Sequence, residues 1–368
     1  MVPIKIIYLV SSLEGGGAEF PIPNIIHALE KDDFHFHVIA LFPRDMLAAK
    51  RLEEHNICYT VLLKSRRNFL INIYQICRDL AKELKKNRPD LLWTSLPTAT
   101  FYGQIFGKLL KIPVVSWQHS AYVRPYKKLL FYFMRNLTKL WVADSENVAV
   151  YLHERFRIPY KKILNWPIFS VSSTQPQSHY KPGEQPFKVG CLGRLHKLKR
   201  FNCLIQAAHI LKQKDPTLEQ KILFYIAGNG PEENNLKALT QTLGLKNVIF
   251  TGFLSNPEPY LASLNLYIQP SDYEGFCVAA HEAMSAGLPI LSTPVGQLQI
   301  SVKPGITGEY ISASNPRDIA DKIYFLYQNP DLLIGMGNNA KAYVQKNFSH
   351  DAFLEAARKF TKITSQFL

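Results

Sequence analysis

The chain has 368 residues, of which 47% are hydrophobic and 20% are charged, as in soluble globular proteins with room for two cores. It shows no apolar run of ~18 residues, no signal peptide and no CxxC pair among its five cysteines, which excludes a membrane-spanning protein, a zinc ribbon and a disulfide framework and predicts a cytoplasmic location. Residues 1–170 carry +10 of the net charge of +14, which predicts that this half faces an anionic partner, either nucleic acid or an acidic membrane surface.

The N-terminal half alternates short apolar runs with longer segments of helical periodicity. The apolar runs predict strands at 4–10, 36–42, 59–63, 90–94, 112–117 and 139–143. Helical stretches between them include 18–31 and 70–87. This alternation indicates βα units around a mostly parallel sheet.

Residues 169–187 interrupt the alternation because they are rich in Ser, Gln and Pro, and they are the predicted linker. A second series of strands follows at 188–192, 221–227, 247–251, 265–269 and 289–293. The predicted fold class is α/β, with two Rossmann-like domains whose parallel sheets face each other across a cleft. The predicted domains are residues 1–168 and 188–345, and residues 346–368 form a helix that crosses back to the first domain.

The segment 265–293 carries the strongest chemical signal. A strand ends at Pro270, the loop SDYEG follows, and a helix is expected from about Phe276 to Ser285. Glu274 therefore lies at the carboxyl end of a strand, and Glu282 lies on the helix. Such a helix start offers backbone N–H groups to an anion, here those of Gly275, Phe276, Cys277 and Val278. Taken alone, the two acids could equally be a helix-dipole charge and a solvated helix residue.

Further motifs occur in a familiar order. They are GGAE at 16–19, VADSENVAVYL at 142–152, GCLGRLHKLK at 190–199, YIAGNGP at 225–231, NVIFTGFL at 247–254, the E-x7-E of 274–282 with AMSAGLPI at 283–290, and VGQLQISVKPGITGEYI at 295–311. Together they span roughly 300 residues and resemble the retaining glycosyltransferases of the GT-B fold, in particular family four, the glycosyl transferases group one. The resemblance implies an N-terminal acceptor-binding domain and a C-terminal domain that binds a nucleotide sugar.

The resemblance also implies roles for single residues. Arg194 and Lys199 would bind the donor diphosphate, whose negative charge grows as it leaves. Glu282 would bind ribose hydroxyls, whereas Glu274 would hold the transferred sugar near its reactive centre. His119, at the end of the strand VVSWQH, would contact the same sugar, although a lone His is about as often structural. The family usually has Gly after the diphosphate lysine, where this chain has Arg.

Glycines and one leucine would complete the donor site. Gly16 and Gly17 would let the backbone of the first domain approach the phosphate, because no side chain blocks it. Leu254 and the turn at Gly228 and Gly230 would wall the base, and the N–H groups of 275–278 would contact the diphosphate. No cofactor and no metal are expected, since two fixed cations can take the role of a divalent ion. UDP-sugar is the favoured donor, by its frequency among such enzymes.

Residues 121–141 interleave cations with aromatic and aliphatic residues. The cations are Arg124, Lys127, Lys128, Arg135 and Lys139. This pattern predicts a peripheral contact with anionic lipid on the inner face of the cytoplasmic membrane, and with it a glycan or lipid-linked acceptor of cell-surface polysaccharide or lipopolysaccharide assembly. The alternative is a core helix with a solvated basic side.

Three other functions compete with a transferase. An NAD-dependent enzyme would need GxGxxG after the first strand, where this chain has EGGGAEF. A basic nucleic-acid-binding protein would need a recognition motif, and none is visible, so no nucleic-acid partner is expected. A GT-B nucleotide-sugar epimerase or hydrolase would share the donor motifs and remains open.

Overall fold

The computed structural model describes residues 3–30, 34–64, 69–123, 125–171 and 175–368, without the side chain of Tyr126. Its chain divides into two compact units. The first comprises residues 1–168 and 351–368, and the second comprises residues 169–350. Each unit is built around its own parallel sheet.

The first unit contains seven parallel strands in the order β3-β2-β1-β4-β5-β6-β7. The strands are β1 (Ile4–Ser12), β2 (Phe34–Phe42), β3 (Tyr59–Val61), β4 (Leu91–Ser95), β5 (Val114–Gln118), β6 (Leu140–Ala143) and β7 (Ile163–Asn165). The central strands are buried almost throughout, as expected when helices cover both faces of a parallel sheet. Strand order reverses between β1 and β4, which makes their carboxyl ends a topological switch point.

Six helices connect these strands, and the last helix of the chain also belongs to this unit. They are α1 (Ile22–Glu30), α2 (Leu47–Glu54), α3 (Phe69–Asn87), α4 (Pro97–Leu110), α5 (Pro125–Met134) and α6 (Glu146–Phe156). Tryptophans fill the core of this unit: Trp93 stacks on Trp117 with ring centroids 5.5 Å apart. Phe360, from the end of the chain, stacks on the same Trp93 at 4.3 Å.

The second unit contains six parallel strands in the order β10-β9-β8-β11-β12-β13. The strands are β8 (Phe187–Leu192), β9 (Ile222–Ala227), β10 (Val248–Gly252), β11 (Leu266–Gln269), β12 (Ile290–Ser292) and β13 (Gly308–Tyr310). The helices are α7 (Phe201–Lys214), α8 (Leu218–Lys221), α9 (Glu233–Thr242), α10 (Glu258–Ala262), α11 (Val278–Ser285), α12 (Leu298–Ser301), α13 (Pro316–Gln328) and α14 (Pro330–Asn347). The switch point of this sheet lies between β8 and β11.

The two-sheet α/β architecture predicted from the sequence is confirmed. All eleven predicted strands are present, and each begins and ends within two residues of its prediction. Two strands were not predicted, β7 and β13, which have three residues each and occupy the edges of their sheets. Two helices begin at a side-chain cap: Ser145 accepts the N–H of Val148 at the start of α6, and Asn315 accepts that of Asp318 at the start of α13.

The predicted linker packs onto the second unit wherever the structure describes it. Ser178 donates its N–H to the carbonyl of Ala286 at 2.8 Å. Gln175 donates to the carbonyl of Glu282 at 2.7 Å. The end of the chain forms α15 (His350–Thr364), most of which belongs to the first unit, together with residues 365–368.

Candidate active site

The loops that follow β8 and β11 lie at the switch point of the second sheet. Parallel pairing of Leu266 with Val189 and of Tyr267 with Gly190 brings these two strands side by side. Their carboxyl ends lead into residues 193–200 and 270–277, which hold Glu274 and most of the predicted diphosphate-binding residues. Ligands of doubly wound sheets bind at such a point.

Glu274 is the centre of a hydrogen-bond cluster at this edge. Its Oε1 accepts from Lys199 Nζ at 2.7 Å, from Gln269 Nε2 at 2.8 Å and from Ser271 Oγ at 2.7 Å. Only 8% of the Glu274 side chain and 24% of the Lys199 side chain are exposed. Burial opposes the charged form of Lys199, but the Glu274 carboxylate, its hydrogen bond and the nearby Cys277 and Cys191 together raise the pKa of Lys199. Lys199 is therefore held in its charged form beside Glu274.

Two residues of this cluster escaped the sequence analysis. Gln269 and Ser271 orient Glu274, and Gln269 is oriented in turn by Tyr267, whose hydroxyl donates to Gln269 Oε1 at 2.8 Å. Burial raises the pKa of Tyr267 well above its usual value, so it stays neutral and keeps its proton for this bond. The run QPSDYE could have indicated Gln269 and Ser271, because it places polar side chains at the end of a strand and directly after it.

Arg200 stands where the family that the motifs resemble usually has glycine, and its backbone conformation accounts for this difference in residue type. Its φ of 53° lies in the left-handed region, which glycine adopts most easily. The Arg200 guanidinium pairs with Asp272 at 2.5 Å, and the N–H of Asp272 donates to the carbonyl of Leu198 at 2.8 Å. These bonds tie the two loops of the switch point together.

Gly228 and Gly230 allow two loops of the second unit to touch. A Cβ at Gly228 would lie 1.9 Å from the carbonyl oxygen of Gly193, and a Cβ at Gly230 would lie 2.4 Å from that of Leu195. The Gly228 N–H donates to the carbonyl of Gly252 at 2.7 Å, which links the loops after β9 and β10. The requirement for glycine here therefore comes from backbone packing around residues 193–195.

The start of α11 differs from the prediction. The expected helix begins at Phe276, whereas α11 begins at Val278, because Cys277 takes a left-handed conformation with a φ of 65°. Phe276 lies outside the helix with its ring 4.2 Å from that of His281, and the Gly275 carbonyl accepts the N–H of Gln297 at 2.8 Å. Only the N–H groups of this segment remain candidates for phosphate binding, since the Phe276 side chain is core.

The other predicted donor residues lie on separate elements of the second unit. Arg194 is exposed in the loop after β8, and Leu254 is half-buried after β10. Glu282 is half-buried on the second turn of α11. Lys199 and Glu274, both predicted from the sequence, are in direct contact.

His119 follows β5 in the first unit and is hydrogen bonded through one of its ring nitrogens. Its Nε2 is hydrogen bonded to Ser95 Oγ at 2.8 Å, and its Nδ1 lies 3.6 Å from Asp144 Oδ2, an ion-pair distance beyond hydrogen-bond length. Burial raises the pKa of Asp144, while His119 opposes that rise. The ring also stacks on Trp117 with centroids 5.5 Å apart. Neither Ser95 nor Asp144 was singled out from the sequence, although Asp144 stands in VADSE directly after a strand.

Gly16 and Gly17 form a turn between β1 and α1. The carbonyl of Gly16 accepts the N–H groups of Glu19 and Phe20, and a Cβ at Gly16 would lie 2.6 Å from Glu19 Oε2. Gly17 is exposed. The turn thus presents backbone at the carboxyl end of the central strand.

Two protein-family models match the chain, and together they cover most of its residues. Glycosyltransferase Family 4 matches residues 15–167, and Glycosyl transferases group 1 matches residues 173–343. The chain therefore belongs to the glycosyltransferases that these two family models define, which have the GT-B fold. The family resemblance inferred from the motifs is thereby confirmed.

Relatives of this glycosyltransferase match it over different lengths. D-inositol 3-phosphate glycosyltransferase of Arthrobacter sp. is 30% identical over 46% of the chain. The match covers only 42% of that enzyme, so the chain spans less than half of its length. The capsular polysaccharide biosynthesis glycosyltransferase CapM of Staphylococcus aureus is 23% identical over 80% of the chain and 85% of its own length. The crystal structure of Anabaena HepE in complex with UDP and glucose superposes with a TM-score of 0.80 at 19% identity, covering 99% and 100% of the two chains, which shows a shared fold.

Two further findings concern the described residues of the glycosyltransferase. None of their helices is both long enough and apolar enough to span a bilayer. Within the same residues, no three His, Cys, Asp or Glu side chains are grouped as a metal site would require.

Proposed function

We propose that this glycosyltransferase moves a hexose or an N-acetylhexosamine from a UDP-sugar to a glycan or lipid-linked acceptor, with retention of configuration, in cell-surface polysaccharide or lipopolysaccharide assembly. The observation that carries the proposal is the Lys199–Glu274 pair at the switch point of the second sheet. It joins a cation suited to a diphosphate with a carboxylate suited to sugar hydroxyls. The HepE complex with UDP supports the choice of nucleotide, and CapM supports the class of product.

The cations would stabilise the departing nucleoside diphosphate. Lys199 has three N–H groups and donates one to Glu274, so that the others can donate to phosphate oxygens. Arg194, exposed in the same loop, would add a second cation. Fixed positive charge near a growing negative charge is worth several kcal/mol in the transition state, so we propose that no metal ion and no cofactor take part. Glu282 and Leu254 would contact the nucleoside.

Glu274 is proposed to bind the sugar and not to attack it. Its Oε1 already accepts three hydrogen bonds, which lowers its nucleophilicity. A front-face displacement fits this geometry, in which the leaving phosphate takes the proton of the acceptor hydroxyl as the new glycosidic bond forms. His119 would contact the same sugar. A covalent glycosyl adduct on Glu274, found by mass spectrometry of the enzyme quenched with donor alone, would replace this mechanism with double displacement.

A thermal-shift screen with UDP, GDP and ADP tests the donor assignment. At a hundredfold its dissociation constant, UDP should add about 2.7 kcal/mol of stability, or roughly 5 to 10 °C in Tm for a domain of this size. Lys199→Met should abolish most of this shift. The matched control is Lys197→Met, which should retain the shift. Lys197 is exposed and lies on the same single 3-10 turn, Lys197–Lys199. A wild-type protein that responds to none of the nucleotides would contradict the proposal.

The first unit is proposed to bind the acceptor and to contact the inner face of the cytoplasmic membrane, without a nucleic-acid partner. Its α5 carries Lys127 and Lys128 next to exposed apolar side chains. Sedimentation with vesicles that contain phosphatidylglycerol should be strong at low salt and weak at high salt. Equal sedimentation with neutral vesicles would refute an electrostatic contact, and tighter binding to RNA than to vesicles would favour the nucleic-acid alternative.

A further inference from the structure

A cavity of about 320 Å³ lies among α3, α4 and α5 of the first unit, within the range of small-ligand pockets. Apolar side chains dominate its wall, including Ile73, Phe101, Tyr102, Leu130, Phe131 and Met134. A polar substrate such as a sugar would lose hydrogen bonds to water on such a wall without replacing them. The cavity therefore suits a hydrocarbon.

The mouth of the cavity carries exposed apolar residues. Phe69 lines it and is 75% exposed, and Leu130 of α5 lines it and is 45% exposed. Large contiguous apolar patches are rare on monomeric proteins in water and usually mark an interaction surface. An occupant that extends from the cavity would thus remain in contact with apolar side chains.

Positive charge lies at the same mouth. Lys127 lines the cavity and donates to Thr98 Oγ1 at 3.1 Å, and the exposed Lys128 follows it on α5. Among the described residues that line the cavity there is no acid. The complementary occupant therefore combines an apolar chain with an anionic group.

The position of the cavity connects it with the candidate active site. Pro97 and Phe42 line it and stand at the carboxyl ends of β4 and β2. Ser95, two residues before Pro97, holds His119 through its hydroxyl. The cavity thus borders the carboxyl edge of the sheet that also carries His119.

We propose that this cavity binds one hydrocarbon chain of a lipid-linked acceptor, whose phosphate faces Lys127. The inference rests on the proposed function, because it names the class of acceptor that the same enzyme uses. It commits to a chain that leaves the bilayer and enters the protein. A membrane that merely lies against α5 would leave the cavity empty.

Bromine quenching of tryptophan fluorescence tests for entry of the chain. Phe131 lines the cavity and its ring lies 5.1 Å from that of Trp141, so a brominated chain in the cavity would come near this tryptophan. The probe is 12-bromododecyl phosphate below its micelle-forming concentration. We expect saturable quenching that unbrominated dodecyl phosphate reverses by competition. Quenching of equal strength by 2-bromoethyl phosphate, or none with either probe, would overturn the proposal.

Two matched variants of α3 separate the cavity from the surface. Ile73→Glu places a charge in the wall, whereas Ile71→Glu makes the same change at an exposed position that does not line the cavity. The probe concentration for half-maximal quenching should rise at least tenfold for Ile73→Glu and less than twofold for Ile71→Glu. Equal effects of the two variants would show surface contact only and would overturn the proposal. So would binding of vesicles that contain 12-bromododecyl phosphate if tryptophan fluorescence were not quenched.

The UDP thermal shift, measured on the same samples, distinguishes two failures. If UDP stabilises the wild-type protein while the probe does not quench, the cavity assignment alone is wrong. If UDP gives no stabilisation, the proposed function fails whatever the probe does. Because Ile73→Glu lies outside the donor site, its UDP shift should equal that of the wild type. An unchanged near-ultraviolet circular dichroism spectrum, which reports on the tryptophans of the first unit, shows that the variant is folded.

Discussion

The contact between Lys199 and Glu274 can be tested by a double-mutant cycle of Lys199→Met and Glu274→Gln. The Nζ and Oε1 atoms are 2.7 Å apart, and both side chains are largely buried. Hydrogen bonds to charged groups contribute about 1.5–3 kcal/mol, and removing one partner of a fully buried ion pair costs about 3–5 kcal/mol. Lys199 keeps some contact with water, so the lower end of these ranges applies.

We expect each single variant to lower the free energy of unfolding by about 2 kcal/mol, because the remaining partner stays partly buried without its counter-charge. The double variant should lose about 2 kcal/mol as well, and not the sum, since neither unpaired charge then remains. The coupling energy is therefore about 2 kcal/mol. Urea unfolding followed by circular dichroism measures it, provided that the slope against urea is unchanged.

A surface pair supplies the control for this cycle. Lys237 and Glu233 lie 2.6 Å apart on the exposed side of α9, in the i,i+4 arrangement. Pairs of this kind contribute about 0.3–0.5 kcal/mol. If the Lys199–Glu274 coupling were no larger than that of the Lys237–Glu233 cycle, the pair would be a solvated contact, and the electrostatic argument for the donor site would be refuted.

Three further predictions concern the second unit. Arg200→Ala should be less stable than Arg200→Gly by about 1 kcal/mol in urea unfolding, because both lose the ion pair but only alanine is strained at a φ of 53°. Gly228→Ala should cost more than 2 kcal/mol, since its Cβ would lie 1.9 Å from the Gly193 carbonyl oxygen, whereas Gly244→Ala, with open space around it, should cost about 1 kcal/mol. Burial lowers the pKa of His281 to about 4, so the neutral form is favoured in the folded state, and stability should fall by up to about 3 kcal/mol as pH drops from about 6.5 to about 4. His281→Asn should flatten this part of the pH profile of unfolding, and an unchanged profile would contradict the assignment.

Sequence patterns predicted the framework because they follow directly from burial. Strands such as 4–10 and 265–269 are mostly apolar runs bounded by polar or turn residues, and such runs are typical of central parallel strands. The strands β7 and β13 were missed because their segments, ILN and GEY, do not stand out as apolar runs between turn residues. The start of α11 was placed two residues early, because nothing in the sequence indicates that Cys277 adopts a left-handed conformation.

The candidate site was only partly accessible from the sequence. The spacing of Glu274 within its motif singled it out, but its hydrogen bonds to Gln269 and Ser271 depend on side-chain directions that a sequence does not contain. The same holds for Asp144, which faces His119 from the neighbouring strand β6. Residues adjacent in space and distant in the chain were found only where a family motif already connected them.

The final helix, α15, makes the first unit discontinuous in the chain. Phe360 packs on Trp93, more than 250 residues earlier, and Phe353 packs on Trp166 with ring centroids 5.5 Å apart. During synthesis from the N-terminus, the core of the first unit therefore stays incomplete until the whole second unit has left the ribosome. The second unit, whose residues 169–350 are continuous, has its whole chain available before the first unit does.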